Sequence, residues 1–193
     1  MGDGEIRQGA AFIVSAEGDS KYAVRMLRGE GWTVLTGKVV PRRARRALLA
    51  GSRRIILGHG EREELWLACG GRRASERWLW VGMRQPPRDA RLYLYSCWCG
   101  CRLAPALRTN FVVGHYNEVP IPTRLTRAVV LPFLSKVFQL MTTHTYRTPA
   151  SLRRPLKPLA AQLVATHYFT AGGGLEWVAA ALLSASLYRK SCK

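Results

Sequence analysis

Ile55-Ile56-Leu57-Gly58-His59-Gly60 and Leu92-Tyr93-Leu94-Tyr95-Ser96-Cys97 are the two stretches on which the reading of this chain turns. Each is an unbroken apolar run of strand length that stops at a residue with reactive chemistry. Neither alternates apolar with polar residues, the pattern expected where helices cover both faces of a parallel sheet. The segments around them have the same texture. Ala10-Ala11-Phe12-Ile13-Val14 is a further continuous run, closed by the turn and cap residues Glu17-Gly18-Asp19-Ser20. Tyr22, Ala23, Met26 and Leu27 then recur at helical spacing until Gly29 and Gly31 end the pattern.

Trp32-Thr33-Val34-Leu35 reads as a second strand. Pro41 stands at a first helical position, with Ala44, Ala47, Leu48 and Leu49 interleaved with Arg42, Arg43, Arg45 and Arg46 and a stop at Gly51. Residues 53–57, 92–95 and 111–114 supply three more strands. Between them, 65–69 and 78–81 flank Gly70-Gly71 as a small antiparallel excursion. Pro105, eight residues beyond Cys97, breaks the helix expected there or makes it start late. The order predicts an α/β fold, a three-layer sandwich with a mostly parallel central sheet and a small β-hairpin insertion.

After Pro122 the strand signal ends. Residues 125–141 read as a helix interrupted or begun near Pro132, 159–169 as another and 175–189 as a third, with Gly172-Gly173-Gly174 as a joint. Residues 149–158, carrying Pro155 and three basic side chains, read as a surface linker. At 193 residues the chain suits one well-cored domain. The expected organisation is an α/β core over 1–122 and a helical, basic C-terminal extension over 123–193 packed on the same domain.

The formal charge is +18, from 30 Lys and Arg against 12 Asp and Glu. Such an imbalance acts on partners at long range and favours acidic ones. It is concentrated: residues 119–193 carry ten Lys or Arg and one acid, Glu176. Charge alone leaves nucleic acid, an acidic protein regulator and an acidic membrane surface open as partners of that third, beside a merely solvated basic face. No apolar stretch reaches the ~20 residues of a membrane span. The five cysteines, at 69, 97, 99, 101 and 192, are odd in number and too closely spaced for a disulfide framework. A reducing, cytoplasmic setting is therefore expected.

Cysteine catalysis needs a thiolate, a proton carrier and donors aimed at a developing oxyanion. Cys97 at one strand end and His59 at another fit nucleophile and base, because parallel strands deliver both residues to the same sheet edge. The amides of the turn Trp98-Cys99-Gly100 are expected to face the thiol and lower its pKa. Gly60 lets the backbone after His59 approach a substrate carbonyl.

At these residues the chain resembles the caspase-like cysteine peptidases, and the CHAT-type prokaryotic members above others. The resemblance rests on the strand ending in His59-Gly60, the strand ending in Ser96-Cys97 with Gly100 three residues on, and the strand at 111–114 running into Glu118-Val119-Pro120. It covers roughly residues 10–122. It implies a thiol protease acting on a protein substrate, with His59 and Cys97 as dyad and the backbone at Gly60 and Cys97 as oxyanion hole. It implies regulated proteolysis or prokaryotic defence as the setting. It also implies that Glu17, Asp19 and Glu118 border the pocket for the residue before the cleaved bond, which would suit Lys or Arg. A helix cap at Asp19 and solvent-facing glutamates explain the same acids.

Three other readings compete. His59-Gly60-Glu61 before clustered cysteines is similar to the zinc deaminase pattern, but that pattern wants Pro-Cys-x-x-Cys. A structural zinc site from Cys69, Cys97, Cys99 and Cys101 meets the objection that zinc sites usually set two to four residues between paired cysteines, where here a single residue intervenes. A nucleic-acid-binding or protein-interaction module with a silent site would use Arg42, Arg43, Arg45, Arg46, Arg53 and Arg54 or the C-terminal helices, with Trp66, Trp78 or Trp80 stacking. His115 follows the fifth strand and reads as a surface or core histidine, while His144 and His167 have no acid or cysteine close in sequence that marks a role. Neither a metal nor a cofactor is needed by the favoured chemistry.

Overall fold

The computed structural model describes residues 10–14, 20–36, 49–50, 53–67, 76–120, 122–142 and 148–170. Five strands form the central sheet: β1 (Ala10–Val14), β2 (Val34–Thr36), β3 (Arg53–Leu57), β7 (Arg91–Tyr95) and β8 (Phe111–Gly114). Their order is β2-β1-β3-β7-β8, and all four pairings are parallel. A second, antiparallel sheet of β4 (His59–Gly60), β5 (Glu64–Leu67) and β6 (Glu76–Trp80) is inserted between β3 and β7. The helices are α1 (Ser20–Gly29), α2 (Leu103–Ala106), α3 (Arg127–Thr142) and α4 (Pro149–Thr170). The α/β architecture with its parallel sheet is the one the apolar runs predict.

Both faces of the sheet are buried, which explains the missing alternation. Phe12, Val14, Ile55, Leu57, Tyr93, Tyr95, Phe111 and Val113 face one core, shared with α1, α3 and α4. Ile13, Ile56, Leu92 and Leu94 face the other, filled by Leu65, Leu67, Trp78 and Leu79 of the small sheet and by Leu103 and Ala104 of α2. Phe12, Trp32 and Phe138 stack with ring centroids 4.8 to 5.7 Å apart, tying α3 to β1. Trp78 is 1% exposed, so it is a core residue and not a stacking surface for nucleic acid. Arg54 is likewise fully buried, and burial pushes its pKa down to about 10. It is therefore removed from the expected basic surface. Arg42, Arg43, Arg45 and Arg46 lie outside the described residues, as do the segment 175–189 and Gly172 to Gly174.

The C-terminal helices depart most from expectation. The segment 149–158 is not a linker: it is the first half of α4, with Pro155 and Pro158 inside the helix. Two forces override the prolines. Thr148 and Ser151 cap the start reciprocally, each backbone N–H donating to the other's hydroxyl at 3.3 and 3.2 Å, and Pro149 takes the first helical position. Leu152, Leu156 and Leu163 then drop into the sheet core at helical spacing. α3 likewise continues through Pro132, burying Val130, Phe133, Leu134, Val137 and Leu140. α2 starts late, six residues beyond Cys97, with Pro105 in its first turn, and is only four residues long.

His115 sits inside an aromatic cluster, with centroids 5.4 to 5.6 Å from Tyr93, Tyr95 and Phe133. Its Nε2 is 3.1 Å from the Tyr93 hydroxyl. Burial holds its pKa down at about 3 against an ordinary 6.5. Below pH 6.5 the unfolded chain therefore binds a proton that the folded chain refuses until about pH 3, so stability falls with pH across that window. Denaturant melts between pH 7 and 4.5 will show this loss, on the order of 2 kcal/mol, and His115→Phe will flatten it. Phe133→Ala, which hollows the same cluster, is expected to cost about 3–5 kcal/mol in urea unfolding.

Candidate functional site

β3 and β7 end side by side, with Leu57 opposite Tyr95 in register. His59 and Cys97 each lie two residues further along. Two hydrogen bonds tie these strand ends together. The Gly58 N–H donates to the Tyr95 carbonyl at 3.3 Å, and the Ser96 hydroxyl donates to the Gly58 carbonyl at 3.0 Å. Ser96 is completely buried by this contact. His59 and Gly60 then pair with Trp66 and Leu65 as β4. The histidine segment is thus a strand of the small sheet, where the sequence suggested only a loop.

Gly60 is where the small sheet meets the Cys97 turn. A Cβ there would overlap the Ser96 hydroxyl and stand 2.6 Å from Cys99 Sγ and 2.7 Å from the Cys97 carbonyl oxygen. Only a glycine allows β4 and the turn to approach so closely. Gly60→Ala should therefore push β4 off the turn, lowering stability by about 1–3 kcal/mol in thermal or denaturant melts. Cys99 reinforces the same junction: its buried thiol points to the carbonyls of Glu61 and Glu64, at 3.7 and 3.6 Å.

Cys97 is half-buried and faces the opposite way. Its sulfur accepts the Val119 N–H at 3.5 Å and lies 3.9 Å from the Val119 carbonyl. The turn after it is tightly pinned. Trp98 adopts φ 57°, a strained left-handed conformation for a side-chain-bearing residue. Its N–H donates to the Asn117 carbonyl, and its own carbonyl accepts the Cys101 N–H at 3.0 Å. The Gly100 N–H donates to the His115 carbonyl at 2.6 Å. These amides are spent on carbonyls and not on the thiol, which corrects the expectation that the turn depresses the Cys97 pKa. Burial pushes that pKa up; the Val119 amide lowers it, the Glu118 charge raises it and the cysteine's own amide lowers it. Burial prevails, because a thiolate loses more by desolvation than two amides return.

His59 is exposed and its side chain makes no hydrogen bond among the described residues, so His59 and Cys97 follow adjacent strand ends without a direct bond between them. Glu118 is not a free carboxylate: His167 Nε2, from the end of α4, is 2.7 Å from its Oε2. No signal in the sequence joins residues 49 positions apart, and packing of α4 on the sheet creates the pair. Glu17 and Asp19 lie outside the described residues. Cys101 is disulfide-bonded while Cys97 and Cys99 are free, so a disulfide forms although the cysteine spacing argued against a disulfide framework. The turn sends Cys97 to the core shared with the helices and Cys99 to the core of the small sheet, and leaves Cys101 half-exposed. No metal-binding cluster of His, Cys, Asp or Glu is present among the described residues.

Beside Trp98 the β4–β5 turn forms an open cleft of about 570 Å³ lined by Glu61, Arg62, Glu63, Glu64, Trp98 and Arg102. Arg102 is ion-paired with Glu63, and Arg77 with Glu64 at 3.4 Å. Along α4, Arg153, Arg154 and Lys157 are exposed on a helix without a single acid, and the Arg153 guanidinium lies 5.1 Å from the Tyr116 ring centroid. No helix among the described residues is long and apolar enough to cross a membrane. Comparison with protein-family models and with curated proteins finds no match to this chain.

Proposed function

We propose that this chain is a caspase-like cysteine endopeptidase, with Cys97 as nucleophile and His59 as general base. The observation that carries the reading is the parallel, in-register pairing of β3 with β7, tied beyond Leu57 and Tyr95 by the Gly58 and Ser96 hydrogen bonds. That arrangement keeps the histidine and cysteine segments adjacent at one sheet edge, where open α/β sheets build sites. In this reading His59 takes the thiol proton as Cys97 Sγ attacks the scissile carbonyl carbon. The same imidazole returns the proton to the leaving amine. Water, deprotonated by His59, then cleaves the thioester and regenerates the thiol. The raised Cys97 pKa fits a resting thiol that is activated on substrate binding rather than a standing thiolate.

A preference for basic residues would require the substrate cation to displace His167 from Glu118 or to use the acidic rim of the Trp98 cleft. The rival reading, a basic nucleic-acid or protein-interaction module with a silent site, is favoured by the acid-free row Arg153, Arg154 and Lys157.

A peptide library incubated with the full chain and read by mass spectrometry separates the two. Cleavage that is abolished in Cys97→Ala and falls at least ~100-fold in His59→Ala is the expected result. Absence of cleavage, with salt-dependent retention on nucleic acid, would favour the binding module.

A further inference from the structure

The 2.7 Å contact between His167 and Glu118 lies one residue from the amide that holds the Cys97 sulfur. Glu118 is on the segment that follows β8, Val119 donates its N–H to Sγ at 3.5 Å, and His167 reaches this segment from α4. The helical region therefore contributes a side chain to the surroundings of the thiol. We infer that the Glu118–His167 pair is a positioning device that sets how readily Cys97 ionises. The imidazole holds the carboxylate's charge away from the sulfur, and the Val119 amide stays aimed at it.

The electrostatics give the direction. A carboxylate near a thiol opposes thiolate formation, and Glu118 does so here. A hydrogen-bonded imidazole spreads that negative charge when neutral and cancels it when protonated. Removing His167 leaves the full charge of Glu118 acting on Cys97; removing the charge of Glu118 makes His167 irrelevant to the thiol. Among the described residues the other ionisable groups that bear on the sulfur are His59, the proposed base, whose side chain makes no bond to it, Tyr95, whose buried hydroxyl donates to the Pro120 carbonyl at 2.9 Å, and Cys99, held on the opposite face. His115 stays neutral at physiological pH. From α3 the neighbours of this core are apolar, Phe133 and Val137 among them. Glu118 is thus, among the described residues, the carboxylate whose charge acts on the thiol. The inference deepens the peptidase reading, but its measurement needs no peptidase activity.

The experiment is the pH–rate profile of iodoacetamide alkylation of Cys97 in the full-length protein, with the alkylated sulfur located by fragment-ion mass spectrometry. Four proteins are compared: the parent, Glu118→Gln, His167→Ala and the double variant. Glu118→Gln is expected to lower the midpoint by about half to one pH unit, and His167→Ala to raise it by a similar amount, since both groups are partly exposed and screened. The double variant should match Glu118→Gln. His167→Gln, which retains a donor for the carboxylate, should recover part of the shift. Thermal melts and alkylation in urea identify any variant that has unfolded, and the conservative pair Glu118→Gln and His167→Gln then carries the comparison. Equal midpoints in all folded variants would overturn the inference. So would a His167→Ala change that scales the rate equally at every pH or persists unchanged in the double variant, because that pattern means altered access to the sulfur. Loss of cleavage with intact midpoint shifts would count against the peptidase reading alone.

Discussion

The parallel pairing of β3 with β7 is the constraint on which both cores and the candidate site depend. Register places Leu57 opposite Tyr95, and with it every alternate residue on a defined face. A slip of one residue would exchange the two cores, moving Tyr93 and Tyr95 away from His115 and Phe133 and into the space of Leu92 and Leu94. Because helices and the small sheet bury both faces, neither arrangement could be compensated by solvent. The same register brings Gly58 and Ser96 within hydrogen-bonding distance, so the positions of His59 and Cys97 follow from core packing.

Around Cys97 the backbone is held by long-range partners. Asn117 and His115 carbonyls accept the Trp98 and Gly100 amides, and Gly100 leaves no room for a side chain against Gly114 and His115. That network can maintain the unfavourable φ of Trp98, which would otherwise cost of order 1–3 kcal/mol. The turn is committed to shape, and the electrostatics of the sulfur are left to Val119 and Glu118 from the neighbouring segment. Shape and charge at this site thus come from different parts of the chain.

The helical C-terminal region illustrates why composition misleads. Pro155 and Pro158 argue locally for a linker, since each removes a backbone donor and crowds the preceding turn. The cap at Thr148 and the burial of Leu152, Leu156 and Leu163 outweigh that cost. The sequence does carry a helix-start signal, which the linker reading of 149–158 passes over: Thr148-Pro149-Ala150-Ser151 has a cap residue, a first-turn proline and a second hydroxyl three places on. The burial is not legible there, because it depends on β7 and β8 offering an apolar face. The described helices α3 and α4 share their core with Phe12, Ile55 and Tyr95 of the sheet.

What the sequence by itself determined is the strands of the central sheet, their two-sided burial and the two reactive strand ends. Unbroken apolar runs such as 53–57 and 92–95 have one low-energy destination in a chain this size, the interior of a parallel sheet. What only the tertiary structure decided is every relation between distant segments: the β4 strand at His59, the Val119 amide on Cys97, and the Glu118–His167 pair across 49 residues. Local propensity carries no information about which carbonyl an amide will meet after the chain has turned back on itself. Those partners are chosen by packing, which maximises buried apolar area first and leaves the polar groups to find one another in the space that remains.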